Sequence, residues 1–179
     1  HIGMAPEAGV VPLKVLRNNG GGSFAWVDQA LDWVLQHHAT HTIGAVCMSL
    51  GDGGNYVNDA PFASDPLAQK IAALRQARVA VVVAAGNDYF RHESKQGMGY
   101  PAIIRQTISV GAVYDAESGA FSYRSGAKAF STRAGQITPF SQRLHQSVNR
   151  ATRTEIFAPG APVTSSGING PHGESIQHG

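Results

Sequence analysis

The chain has 179 residues, of which 42% are hydrophobic and 15% are charged, and its formal net charge is +2. This apolar content supports one globular domain with a sizeable core and argues against a disordered chain. The weak positive charge does not match the concentrated basic surface of a nucleic-acid-binding protein, and no apolar run approaches the roughly 20 residues of a membrane span. We therefore expect neither nucleic acid as a partner nor a membrane segment in this chain.

The single cysteine and the two ends of the chain allow two further expectations. Cys47 lies between Val46 and Met48 and is expected to be a small buried hydrophobe in a strand, and a lone cysteine excludes an intrachain disulfide. The chain begins with His1 and ends at Gly179 without a helix or cap that would finish a domain. We expect a piece cut from a longer protein, with any signal peptide outside this sequence.

The first two predicted elements are a strand and a helix. The apolar run 10–16 predicts a short strand, and the polar, glycine-rich residues 17–23 predict the turn after it. Ser23 is placed to cap an amphipathic helix over 24–38, because apolar side chains recur there at helical spacing. These apolar positions are Phe24, Val27, Leu31, Val34 and Leu35.

Strands and helices then alternate along the chain. Asp65 followed by Pro66 predicts the N-cap and first residue of a second helix, whose apolar stripe is Leu67, Ile71 and Leu74. Apolar stretches predict four further strands, the last of them short, at 42–50, 79–85, 107–113 and 155–158. The alternation predicts the α/β class, a three-layer arrangement of a parallel sheet with flanking helices.

The segment 118–153 is long and polar and is predicted to be a surface insertion within one domain that covers residues 1–179. Six basic residues in it are spaced through Gly, Ser and Gln, which favours a solvated surface over a specific anion site. They are Arg124, Lys128, Arg133, Arg143, Arg150 and Arg153. No linker rich in Pro, Gly or Ser divides the chain.

Three other clusters raise the question of a cofactor or metal. Gly20 to Gly22 lie between a strand and a helix, but no dinucleotide or phosphate-loop spacing surrounds them, so a structural loop is favoured. His37, His38 and His41 point in different directions and lack a Cys or carboxylate pair to complete a zinc site. A calcium site stays open, because one loop without EF-hand spacing contains Asp52, Asn55, Asn58 and Asp59.

The apolar run 79–85 stops at Gly86 and Asn87, at the end of a predicted parallel strand, where ligands commonly bind. An Asn amide at such a place can donate to an oxygen that becomes negative in a transition state. Taken alone, the segment favours an ordinary turn, because Gly-Asn pairs often end strands.

Seven short segments, taken in chain order, resemble the subtilisin-like serine proteases. Each is weak alone, but their order and the helix lengths between them argue against coincidence, and they extend over nearly the whole chain. They are Gly3-Met4-Ala5-Pro6, Lys14-Val15-Leu16, Met48-Ser49-Leu50-Gly51, Ala84-Ala85-Gly86-Asn87, Gly99-Tyr100-Pro101-Ala102, Val110-Gly111-Ala112-Val113 and Ala158-Pro159-Gly160. The resemblance implies a subtilisin-like fold that is incomplete at both ends.

The resemblance also implies a site. In that family the Asn of an Ala-Ala-Gly-Asn segment donates to the oxyanion of the tetrahedral intermediate, and Asn87 matches it. The implied substrate-binding residues form an extended edge and the walls of a specificity pocket, where glycine lets the backbone approach the peptide. They are Ser49, Leu50, Gly51, Ala84, Ala85, Gly86, Gly99, Tyr100 and Pro101. Asp52 stands where many relatives carry Gly or another small residue, which leaves the effect of its carboxylate on specificity open.

The family's three triad segments do not occur in this sequence. The nucleophilic Ser of the family lies in a Gly-Thr-Ser segment, and His178-Gly179 resembles the residues just before Thr-Ser. His1 and Ser175 lack the expected neighbours and are not assigned to the triad. The resemblance therefore implies a parent serine endopeptidase that acts by acyl transfer, and we expect this fragment alone to be inactive.

The implied partner is a polypeptide substrate, and the chemistry requires no cofactor. The family leads us to expect a secreted or extracytoplasmic protein, and we expect a monomer. Two alternatives stay beside this interpretation. One is a non-catalytic relative that serves as a binding or scaffold module, and the other is a nucleotide-binding α/β domain, which the glycine spacing disfavours.

Overall fold

The computed structural model describes residues 4–167, 170 and 173–179. In chain order the helices and strands are α1 (Phe24–His37), β1 (Ala45–Met48), α2 (Pro66–Gln76), β2 (Ala80–Ala84), β3 (Ile108–Val113), β4 (Phe121–Ser122), β5 (Lys128–Ala129), β6 (Ile156–Pro159), β7 (Val163–Ser166) and β8 (Glu174–Gln177). A single 3-10 turn, Ala60–Phe62, precedes α2 in the described part of the chain. Neither α1 nor α2 is long and apolar enough to cross a membrane.

The central element is a parallel sheet with the strand order β1-β2-β3-β6. Val46 pairs with Val81, Val83 with Ser109, and Ala112 with Ala158. The hairpins β4-β5 and β7-β8 are antiparallel and separate from this sheet. The predicted α/β class, with a parallel sheet and flanking helices, is confirmed, and the four predicted strands from residue 42 onward all belong to the sheet.

The two helices begin where their caps predict. Ser23 Oγ accepts from Ala25 N at 3.2 Å, and Asp65 Oδ1 accepts from Leu67 N at 2.8 Å with Pro66 opening α2. The predicted apolar stripe of α2 and the middle of the α1 stripe are buried in one cluster together with Met48, Val81 and Val83 of the sheet. Phe24 and Leu35, at the two ends of the α1 stripe, are partly buried and pack against this cluster. This burial against one face of the sheet stabilises both helices more than their intrinsic propensities do.

The other face of the sheet explains one wrong prediction. Cys47 lies in β1 as predicted, but it is exposed rather than buried. Because side chains alternate along a strand, Cys47 faces away from Met48 and from the two helices. It lines an open cavity with Val82 and Val110, and neither α1 nor α2 covers this side.

The strand predicted at 10–16 is also wrong. Among the described residues this stretch forms only a bridge between Leu16 and Gly22, and the Val10 side chain is 83% exposed. Pro12 has no N–H to donate to a neighbouring strand, which weakens any ladder through the middle of this run.

The segment 118–153 is only partly peripheral. Its first part contains the short hairpin β4-β5, whereas its second part has several residues buried at 5% exposure or less: Thr138, Phe140, Ser141, Gln142 and Leu144. Arg143, expected to be solvated, is half-buried, and its guanidinium lies 3.5 Å from the centre of the Tyr89 ring. Whether the segment is an insertion relative to other proteins stays a prediction, but its second half belongs to the packed interior.

Candidate substrate-binding and oxyanion site

An open cavity of about 790 Å³ lies at the carboxyl ends of β1 and β2. Residues that follow a strand in a parallel sheet meet at this edge, which is where α/β proteins commonly bind ligands. Most of the site residues implied by the sequence line it, namely Ser49, Leu50, Gly51, Ala84, Ala85, Gly86, Asn87 and Gly99. The fold therefore brings together segments that are far apart in sequence.

Tyr100 and Pro101 do not line the cavity but lie directly behind it. Both are buried, and Tyr100 retains only 5% exposure. Gly99 N donates to Ala85 O at 2.9 Å, and Asp52 N donates to Tyr100 O at 3.1 Å. The segment 99–101 thus joins the two walls of the cavity from behind.

Asn87 is exposed at the mouth of this cavity. Its side chain forms no hydrogen bond with the residues that the structure describes, so its amide N–H groups are available to a ligand there. A Cβ built on Gly179 would lie 3.5 Å from Asn87 Nδ2, and His178 and Gly179 line the same cavity. Gly179 is held by its N–H, which donates to Gly160 O at 2.9 Å. The amide of Asn87 therefore faces the segment that resembles the approach to the family's nucleophile.

The Tyr100 side chain connects this site to α2. Its hydroxyl donates to Asp65 Oδ1 at 2.9 Å, the oxygen that also caps α2. Burial and the Asp65 carboxylate raise the pKa of Tyr100 well above its usual value, so the hydroxyl stays a donor. Phe62 stacks on the ring at 4.4 Å between centroids, and Phe24 contacts it edge-on at 5.0 Å.

The change Tyr100→Phe is expected to lower the free energy of unfolding of the full-length protein by about 1 kcal/mol, because one buried hydrogen bond is lost while the ring packing stays. Urea unfolding measures this change. Tyr56→Phe is the matched control, since its hydroxyl bonds Asp52 Oδ2 at the surface and its loss should cost less. An equal or larger loss in the control would contradict the buried role of Tyr100.

Asp52 has a structural task that the sequence left open. Its Oδ1 accepts from Gly54 N at 2.8 Å and from Tyr100 N at 3.0 Å. Its Oδ2 accepts from the Tyr56 hydroxyl at 2.8 Å, and this bond raises the pKa of Tyr56 above its ordinary value. The carboxylate therefore fixes the wall after β1 against the segment behind the cavity.

The other three calcium candidates also have protein partners. Asn58 Oδ1 accepts from Ala60 N at 3.0 Å, Asn55 Oδ1 accepts from Gln142 Nε2 at 2.8 Å, and Asp59 is bound by Arg105. In the described part of the chain no group of three or more His, Cys, Asp and Glu side chains is placed to hold a metal ion. A structural calcium ion stays a prediction, and these donors serve the loop itself.

The histidine cluster packs around a tryptophan. The His37 and His41 rings stack on Trp33 with centroids 4.4 and 5.5 Å away, and His37 Nδ1 lies 2.8 Å from Trp33 O. His38 Nδ1 lies 3.0 Å from Leu35 O. These contacts give the three histidines structural roles at the end of α1.

The Asp59 carboxylate anchors the end of the loop that follows β1. Arg105 Nε donates to Asp59 Oδ2 at 2.6 Å, and the Arg105 backbone N–H donates to the same oxygen at 3.2 Å. The Asp59 side chain is only 10% exposed. The hydrogen bonds from Arg105 hold the pKa of Asp59 below its ordinary value, against the effect of burial.

The change Asp59→Asn is expected to lower the unfolding free energy by about 1–2 kcal/mol at pH 7. Because the folded-state pKa is lowered, the stabilisation is present above the unfolded value near about pH 4 and is lost as the pH falls through the folded value. Urea unfolding across this pH range should show the two proteins converging at low pH. Asp115→Asn, at an exposed carboxylate, is the control, and a gap that persists at low pH would contradict the account.

Sequence reasoning missed Ser141, Gln142 and Asp88, which also line the cavity. Asp88 directly follows Asn87 and pairs with Arg91 at 3.0 Å. Ser141 and Gln142 lie in the polar segment predicted as an insertion, where no motif marks them. The available signal was the pair Ser141-Gln142 between the apolar residues Phe140 and Leu144, both of which the structure buries.

The chain is similar in sequence to known subtilases. The Subtilase family profile matches residues 1–177. The serine protease AprX of Bacillus subtilis is 27% identical over 166 residues, 92% of this chain and 34% of that protein. An intracellular serine protease of Paenibacillus polymyxa is 29% identical over 122 residues, 68% of this chain and 34% of that protein.

A solved structure agrees with these relatives. Sphericase superposes with a TM-score of 0.72 at 26% identity, over 99% of this chain and 51% of that one. The chain thus spans about a third of the length of these curated relatives and about half of that structure. The matched residues include both walls of the cavity and Asn87. This chain belongs to the subtilase family.

Proposed function

We propose that the full-length protein containing this chain is a serine endopeptidase, and that the chain supplies its oxyanion donor and substrate-binding walls. The observation that carries the proposal is the exposed Asn87 amide beside Gly179, in a cavity whose walls are glycine-rich backbone. The relatives are named serine proteases, which supports the same chemistry.

In this proposal a serine attacks the peptide carbonyl, a histidine takes its proton and later gives it to the leaving amine, and an aspartate orients the histidine. Asn87 donates a hydrogen bond to the carbonyl oxygen as it becomes an oxyanion. Ser49–Gly51 pairs with the extended substrate, and Ala84–Gly86 forms the facing wall of the pocket. We assign the triad to sequence outside this chain.

The test is cleavage of a casein digest by the purified full-length protein, with and without a serine-reactive inhibitor. Inhibitor-sensitive cleavage supports the proposal. Binding of the peptides without cleavage would identify a non-catalytic relative and contradict it. The 179-residue chain, assayed in parallel, should cleave nothing, because it has an oxyanion donor and no assigned nucleophile.

The site of action and the oligomeric state are further predictions. Secretion is the usual location of proteins in this family. One relative is named an intracellular serine protease, however, so membership of the family alone does not decide the compartment. We keep the secreted monomer as the proposal. Fractionation of the source cells, followed by size-exclusion chromatography of the protein, tests both parts.

A further inference from the structure

Gln142 lies where the two walls of the cavity meet. The residue is fully buried, yet it lines the cavity and contacts residues on both walls. We propose that Gln142 is a positioning residue, which fixes the spacing between the wall after β1 and the segment that carries Asn87. This inference rests on the proposed function and names a residue that neither the motifs nor the family resemblance assigns.

The side-chain amide holds the first wall. Gln142 Nε2 donates to Gly54 O and to Asn55 Oδ1, both at 2.8 Å. The Gly54 oxygen can only accept, so the amide nitrogen must face this wall and the orientation of the group is determined. One side chain thereby fixes two consecutive residues of the loop that continues from the substrate-pairing edge.

The backbone N–H of Gln142 holds the second wall, and the side-chain amide oxygen lies against it. Gln142 N donates to Gly86 O at 2.8 Å. Gln142 Oε1 faces Gly86 and has no hydrogen-bond partner among the described residues. A buried carbonyl oxygen without a donor costs stability, so an apolar residue would serve better if packing were its only task. Gly86 precedes Asn87, and its position helps to aim the oxyanion donor.

The segment around Gln142 is itself well supported. Ser141 Oγ accepts from Ala112 N at 2.8 Å at the end of β3. Arg143 O accepts from Gly97 N at 2.9 Å, and the Arg143 guanidinium packs over the Tyr89 ring. Because both neighbours are fixed to different parts of the fold, Gln142 bridges the walls from a rigid support rather than moving with either one.

The test compares Gln142→Leu and Gln142→Glu with Thr138→Val in the full-length protein. Thr138 is fully buried in the same segment, and its Oγ1 has no partner among the described residues, so its change removes no contact to the walls. We expect Gln142→Leu to lower kcat/KM by about 10-fold to 100-fold, through kcat as well as KM, because displaced groups lose their alignment. Thr138→Val should leave both parameters unchanged.

Gln142→Glu gives a readout that simple loss of packing would not. An ionised carboxylate places a second oxygen against Gly54 O and Asn55 Oδ1, whereas a protonated one can donate to Gly54 O. Relative to the wild-type protein, the variant should therefore regain activity as the pH is lowered. If Gln142→Leu does not fold, the Glu variant decides alone, and a pH profile parallel to wild type would overturn the proposal.

Hydrogen exchange separates this proposal from the proposed function. In Gln142→Leu, or in Gln142→Glu at high pH, amides in both 50–56 and 84–89 should exchange faster than in wild type, with α1 unchanged. Faster exchange confined to 138–144, or none, would overturn the positioning role. A wild-type protein without peptidase activity would contradict the proposed function. The rates of amide hydrogen exchange in the two walls would still decide whether Gln142 positions them.

Discussion

Replacing Asn87 by Leu is expected to lower kcat of the full-length protein by about 10²–10³, the range established for removing one oxyanion donor from a subtilisin, with KM little changed. The reason is that the amide interacts with an oxygen that becomes negative only in the transition state. Its side chain forms no hydrogen bond with the described residues, so the change should leave the melting temperature near that of wild type. Steady-state kinetics on one peptide substrate measures the effect.

The control for this experiment is Asn18→Leu, which removes an exposed amide that does not line the cavity and whose oxygen accepts from Lys14 at 2.9 Å. It should leave kcat unchanged. An equal fall of kcat in both variants, or a change at Asn87 that raises only KM, would show that Asn87 does not act on the transition state.

The change Gly86→Ala is expected to lower the unfolding free energy by about 2–5 kcal/mol, from backbone strain and overpacking together. Gly86 has a φ of +116°, a conformation that L residues rarely adopt. An added Cβ would also overlap Gln142 Oε1 and lie 2.8 Å from its Cδ. Urea unfolding should show this loss, and peptide cleavage should fall with it because Asn87 is the next residue.

Gly20→Ala separates the two contributions. Gly20 also has a positive φ, +84°, but an added Cβ there meets nothing within 4 Å. Its change should therefore cost about 1 kcal/mol, from strain alone. If both alanine variants lose the same stability, the contact between Gly86 and Gln142 does not constrain the pocket.

The helices were predictable because their signals are local. Ser23 and Asp65 precede regular apolar stripes, and the structure begins α1 and α2 directly after them. The apolar run that became β2 was equally clear. Such signals lie within one helical turn or one strand, so they can be read from the sequence without knowledge of the rest of the fold.

Apart from the strand predicted at 10–16, the wrong predictions concern what covers a side chain. A strand pattern shows that Cys47 and Met48 face opposite sides, but it does not show that only the Met48 side is covered. Likewise, the polar composition around Arg143 suggested a solvated side chain, whereas packing on Tyr89 leaves it half-buried. Burial is decided by tertiary contacts that composition does not contain.

The residues of the site also fall into those that local sequence reveals and those that only tertiary contacts reveal. Resemblance supplied Asn87 and the wall segments, because these are contiguous motifs. It did not supply the roles of Asp52 or Gln142, because Asp52 bonds Tyr100 across 48 positions and Gln142 bonds Asn55 across 87 positions. Contacts over such separations become visible only when the chain is folded.

The most direct test is active-site labelling of the full-length protein with a fluorophosphonate, in wild type and in Asn87→Leu. We expect one serine per molecule to be labelled in wild type and labelling to be much slower in the variant, because phosphonylation also develops charge on an oxygen that Asn87 would stabilise. No labelled serine in folded wild-type protein, or equal labelling rates in the two proteins, would contradict the claim that this chain supplies the oxyanion site of a serine endopeptidase.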